Sequence, residues 1–141
     1  MREYLKFYID GQWVDPHALR TLAVENPATE QACGRIALGS AADVDKAVEA
    51  ARKAFASWSQ SSRAQRLDLL QSIAAEYQRR AADMAAAVTQ EMGAPAALAT
   101  NNHVPLGSGH LAVAIDVLKT FAFEEQRGAT LIAKEPIGVC G

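Results

Sequence analysis

Apolar and polar positions alternate from Phe7 to Val14, with aromatic and β-branched residues on both sides of Asp10 and Gly11. That pattern predicts a β-hairpin, because Asp-Gly tolerates the positive φ of a tight two-residue turn. Asn26 to Thr29 (Asn-Pro-Ala-Thr) predicts a second turn, and Cys33 to Leu38 a short strand after it. The period then changes. Val44, Ala47, Val48, Ala51 and Phe55 recur at helical spacing, with Trp58 just beyond, while Asp45, Lys46, Glu49, Arg52 and Lys53 take the other face. Ser40 is placed to cap this helix by accepting from the amide near Asp43, whose carboxylate suits the positive end of the helix dipole. Ser62 and Gln65 have capping-box spacing for a second helix, with Leu67, Leu70, Ile73, Ala74 and Tyr77 inward.

Arg79 and Arg80 mark a break. A third helix carries Met84, Ala85 and Val88 and stops near Gly93, Ala94 and Pro95, where glycine permits the end and proline opposes a restart. Ala96 to Asn102 reads as a further helical piece. Pro105 suits the first turn of another helix, which carries Leu111, Ile115 and Leu118 and ends near Thr120. Gly128 breaks the pattern; Thr130 to Lys134 and Ile137 to Cys140 read as strands on either side of Pro136. No internal repeat or low-complexity linker interrupts the chain.

Half of the 141 residues are apolar but only 6% are aromatic, so the core is expected to rest on small contacts between helices. The net charge of -2, with both signs interspersed, argues against a nucleic-acid or anionic-membrane partner, which requires a basic cluster. The two cysteines, Cys33 and Cys140, form no CxxC spacing and no disulfide framework, which favours a reducing cytosol. The opening residues show strand-like alternation and no apolar signal-peptide core, and no apolar run is long enough for a membrane span.

Candidate chemistry is sparse. A catalytic thiol needs a base, a cation or a helix N-terminus beside it. Cys140 lies in apolar sequence, where burial would raise its pKa, and Cys33 lies in a turn-to-strand region with no histidine near. Both read as passive small side chains. His103 and His110 are seven residues apart, too wide for the i,i+4 zinc pair, and His17 stands alone. Gly107-Ser108-Gly109 lacks the pattern of a phosphate loop and reads as small residues for close helix packing. Glu124 and Glu125 adjoin an expected loop and read as solvated.

In their order, however, these segments resemble one family. Phe7 to Val14, the Asn-Pro-Ala-Thr turn within Val24 to Glu30, Asp43 to Trp58, Arg66 with Leu67 and Leu70, Glu91 to Gly93 with Pro95, and Glu135 to Gly141 are together similar to the N-terminal segment of NAD(P)-dependent aldehyde dehydrogenases. The resemblance implies an α/β fold, with this segment a helix-rich N-terminal part that carries a β-hairpin and edge strands of a Rossmann-like domain. It places residues 1–141 in the cofactor-binding domain, with about 128–137 contributing to an oligomerisation arm and the catalytic domain absent.

The implied activity is oxidation of a small-molecule aldehyde to a carboxylic acid with NAD or NADP, through a cysteine thiohemiacetal and thioester. In the family, the oxyanion asparagine, the glycine motif, the glutamate and the nucleophile correspond to positions beyond Gly141, so no catalytic or cofactor-binding residue is assigned in this segment, and Cys140 matches no catalytic position. The segment by itself is expected to be inactive. Carbonyls around Val24 and Glu25, with the Glu91 carboxylate, resemble a family site for a monovalent cation, Na+ or K+, where all-oxygen ligation suits a hard ion. A cytoplasmic homodimer or homotetramer is implied. The alternative is a truncated or nucleophile-less chain that acts as a non-catalytic helical interaction domain.

Overall fold

The computed structural model describes residues 2–141. The N-terminal third is β structure. Strand β1 (Arg2–Tyr4) pairs in parallel with β5 (Gln31–Leu38), which pairs antiparallel with β4 (Arg20–Asn26), giving the sheet order β1-β5-β4. Strands β2 (Phe7–Ile9) and β3 (Gln12–Val14) form the expected hairpin. Asp10 and Gly11 both have positive φ, 52° and 77°, the twist-matched turn that their sequence predicts. Tyr8 and Trp13 face each other across it with ring centroids 5.3 Å apart.

Strand β4 has no counterpart among the expected elements, although Leu22 and Val24 alternate there with Thr21, Ala23 and Glu25. The turn between β4 and β5 is the expected one. The Asn26 carbonyl accepts from the amides of Thr29 and Glu30, and the Asn26 side chain accepts from the Ala28 amide at 2.9 Å.

Helices α1 (Ala41–Trp58), α2 (Arg63–Arg79) and α3 (Ala81–Met92) follow. The α2 capping box is complete: Ser62 Oγ accepts from the Gln65 amide at 3.2 Å, and Gln65 Oε1 accepts from the Ser62 amide at 2.8 Å. Arg80 leaves the helical region and separates α2 from α3. At α1 Ser40 and Asp43 form a capping box, as the expected cap requires, and the Ser40 hydroxyl also donates to the Asp43 carboxylate at 2.7 Å. The Ser40 amide donates to the same oxygen at 2.8 Å, and the His17 amide donates to the other at 2.8 Å. A buried carboxylate thus ties the start of α1 to the loop after β3.

Three donors favour the charged form, and the Ser40 amide is the foremost of them in holding the Asp43 carboxyl below the ordinary aspartate range. Stability from this link is complete above the unfolded-state pKa. It is lost as pH falls from about 4 through the depressed folded value. Asp43→Asn is expected to lower the thermal midpoint at neutral pH and to flatten its fall below about pH 4. Thermal melts of both proteins from neutral to acid pH check this, and parallel curves with an unchanged midpoint contradict it.

The helical run from Ala96 to Thr120 carries no intervening loop. It consists of α4 (Ala96–Leu98), a π turn over Ala99–His103 and α5 (Val104–Thr120). Pro105, expected to open a separate helix, sits in the first turn of α5 just after the widened π turn. Proline cannot supply its amide and crowds the carbonyl four residues back, and a π turn relieves both. A hairpin of β6 (Glu124–Arg127) and β7 (Thr130–Ala133) closes the ordered elements.

The buried apolar cluster is small: Ala85, Ala94, Ala99 and Val104, with Tyr77, Ala81 and Val88 packed around it. It lies where α2, α3, the π turn and α5 meet. Gly93 ends α3 in the left-handed region with φ 77°, and its Cα lies against the ring of Pro27 in the β4–β5 turn. Two expectations fail here. Val44 and Ile73, placed on inward stripes, are 59% and 43% exposed, because α1 makes its main contact with β2 alone and Ile73 borders an open cleft. Ile137 to Cys140 forms no strand. A strand needs a hydrogen-bonded neighbour, and among the described residues none lies alongside.

Candidate functional site

The residues with chemical potential are dispersed. Cys33 is half-buried in β5, and its thiol donates to the Val24 carbonyl at 3.3 Å. Cys140 is exposed, so the expected burial of its thiol does not hold. The strand that would have buried it has no partner among the described residues. His103 lies half-buried in the π turn, whereas His110 is exposed on α5. Glu124 and Glu125 belong to β6, which adjoins the loop after α5, and Glu125 pairs with Arg127 at 2.7 Å. Among the described residues no three of His, Cys, Asp and Glu gather as a metal cluster.

Gly107 does what close helix packing requires. A Cβ there would lie 2.6 Å from Cζ of Tyr77, whose hydroxyl donates to the Val104 carbonyl at 2.9 Å. Gly109 faces open space and has no such role. The pair therefore forms no phosphate cradle, and one of its two glycines is filled by a tyrosine ring.

Of the three candidate cation positions, Val24 and Glu25 lie on β4 and Glu91 lies on α3. A β-bulge separates Val24 from Glu25 and interrupts the β4–β5 ladder there, which frees backbone oxygens from regular pairing. Helix α3 packs on β4 and carries Glu91 in its last turn. The donors are all oxygen, which fits a hard monovalent ion. Two of them already have partners: the Val24 carbonyl accepts the Cys33 thiol, and Glu91 Oε1 lies 3.9 Å from Nη1 of Arg2.

A cleft of about 880 Å3 opens between β1, α2 and α3, with Tyr4, Ile73, Tyr77 and Met84 on its walls. Its rim charges neutralise one another through Arg2–Glu91 and Arg80–Asp83. Glu76 also lines it, and the hydrogen bond from Arg79 holds that carboxyl below its usual range. A second pocket of about 500 Å3 gathers Arg63, Arg66 and Lys134 around Phe123. The expected features do not include this cluster. The available signal was two arginines in the first turn of α2, where the helix dipole disfavours them.

The kinship of the chain rests on its pattern as a whole. The model of the aldehyde dehydrogenase family matches residues 13–141. Over its full length the chain is 47% identical to 3-succinoylsemialdehyde-pyridine dehydrogenase from a Pseudomonas species, of which it spans 30%. The crystal structure of aldehyde dehydrogenase from Bartonella henselae superposes with a TM-score of 0.89 at 41% identity, over 92% of this chain and 28% of that one. A mutant of aldehyde dehydrogenase C from Pseudomonas syringae, solved with NAD+ and octanal, gives 0.88 at 44% identity, over 91% of this chain and 26% of that one. The chain thus spans about 30% of the length of the curated relatives it matches, and its mixed α/β architecture is theirs. By sequence, over nearly all of its length, and by fold, this chain belongs to the aldehyde dehydrogenase family.

Proposed function

We propose that the protein oxidises an aldehyde to a carboxylic acid with NAD+ or NADP+. The observation that carries this reading is the unbroken match of sequence and fold to a structure that holds both NAD+ and octanal. We assign no catalytic or cofactor-binding role to the described residues. Their part in such an enzyme is architectural: α1, α2, α3 and α5 present amphipathic faces as the outer helices of the cofactor-binding domain, of which residues 1–141 form the N-terminal part. The β6–β7 hairpin, with Leu131 57% exposed, suits the oligomerisation arm of a homodimer or homotetramer. Two free thiols are consistent with a cytoplasmic location. No helix among the described residues is long and apolar enough to cross a membrane.

A monovalent cation, Na+ or K+, held by the carbonyls at Val24 and Glu25 and by Glu91, belongs to the same reading. The bulge and the all-oxygen donor set support it. At that place an ion would steady the β4–α3 contact and would draw Glu91 away from Arg2.

One set of preparations tests these statements. The 141-residue chain is expected to give no NADH or NADPH from aliphatic or aromatic aldehydes, whereas the chain continued to the length of its relatives is expected to turn them over. Turnover by the short chain, or none by the long one, contradicts the reading. Thermal midpoints in sodium, potassium and tetramethylammonium chloride at equal ionic strength test the ion: equal values in all three, or a sodium effect that survives Glu91→Gln, remove it. Light scattering that shows only a monomer of the long chain removes the assembly.

A further inference from the structure

The pocket around Phe123 has no part in that reading. Arg63 and Arg66 reach it from the first turn of α2, and Lys134 from just beyond β7. Their guanidinium carbons lie 5.8 and 5.6 Å from the centre of the Phe123 ring, and Lys134 Nζ lies 5.2 Å from that of Phe121. Every hydrogen bond the three cations make goes to a neutral acceptor. Arg66 donates from Nε to Ser61 Oγ at 2.8 Å and from Nη2 to the Ser59 carbonyl at 3.2 Å. Arg63 donates to the carbonyls of Lys119 and Phe121, and Lys134 to that of Ala122 at 2.9 Å. Among the described residues none of the three forms an ion pair. One acid, Glu135, lines the same pocket.

We propose that this pocket binds an oxyanion, the phosphate or carboxylate group of a small molecule. A guanidinium carries five N–H donors and an ammonium three, so each cation retains donors after its observed bonds. The carbonyls that hold the two arginines set the direction of their forks before a ligand arrives, which lowers the entropy lost on binding. Tying the end of α5 to α2 explains the Arg63 bonds. It does not explain why three like charges converge on one cavity with a single acid beside them. The Phe123 ring gives the cavity a flat apolar wall for the organic part of the guest.

The test titrates the intact chain with inorganic phosphate and, separately, with benzoate. Sodium chloride at matched ionic strength is the reference, and backbone amide NMR shifts are the readout. At least one probe is expected to produce saturable shifts in residues 59–66 and 122–134, and the probe that does so identifies the ligand class as phosphate or carboxylate. Lys134→Gln is expected to weaken binding about tenfold, while Lys46→Gln, on the far side of α1, leaves it unchanged. Should Lys134→Gln fail to fold, Arg66→Lys keeps the charge but loses the fork, and undiminished affinity in that variant overturns the proposal. Shifts that never saturate, shifts matched by chloride, or equal weakening by Lys46→Gln also overturn it. None of these results bears on aldehyde oxidation, so the two readings stand or fall separately.

Discussion

Gly93→Ala is expected to destabilise the protein by about 2–5 kcal/mol, measured as the shift in denaturant midpoint at unchanged slope. Two effects add. Gly93 has φ 77°, and a side chain in the left-handed region costs about 1–2 kcal/mol. Its new Cβ would also lie 2.7 Å from Cγ of Pro27. That neighbour is a ring in a turn fixed by two bonds to the Asn26 carbonyl, so it cannot swing aside as the end of a long side chain would. Overpacking of this kind costs about 1–3 kcal/mol. A loss below about 0.5 kcal/mol would show that the α3 terminus and the turn separate without penalty.

Gly107→Ala is expected to cost about 2–3 kcal/mol, although alanine is the better helix former by about 1 kcal/mol. The added methyl would stand 2.6 Å from Cζ of Tyr77. The ring must move, and the bond from its hydroxyl to the Val104 carbonyl, worth about 1 kcal/mol, goes with it. Tyr77→Leu removes the obstacle, so the double variant should be more stable than the sum of the single losses predicts, by about 1 kcal/mol or more. Gly109→Ala supplies the contrast. With nothing near its Cβ position, it should gain about 0.5–1 kcal/mol. Strict additivity in the double variant would mean that Tyr77 and Gly107 do not share the space the structure assigns them.

What could be read from the chain was local. Asp10-Gly11, Ser62 with Gln65, and Gly93 before Pro95 each dictate a backbone state within a few residues, and all three appear where expected. Features that depend on distant partners were harder to read. Ile137 to Cys140 has strand composition, but a strand exists only when another lies beside it. Val44 and Ile73 sit at helical spacing, yet periodicity says only that a face is apolar, not that something covers it. Strand β4 did alternate, and its signal was hidden because five of its seven residues are charged, polar or small, leaving only Leu22 and Val24 with apolar bulk. The cationic pocket joins residues 63, 66 and 134. No spacing rule reaches that far, so only the meeting of the start of α2 with the segment that follows α5 could reveal it.

The methyl-sized interior described above makes tolerance to mutation one-sided. Three of its four buried members are alanines, so trimming has almost nothing to remove, and an alanine scan would pass over most of it. Only enlargement can report on it. Ala99 has no exposed surface at all, so a larger side chain there would have to be taken up inside the cluster.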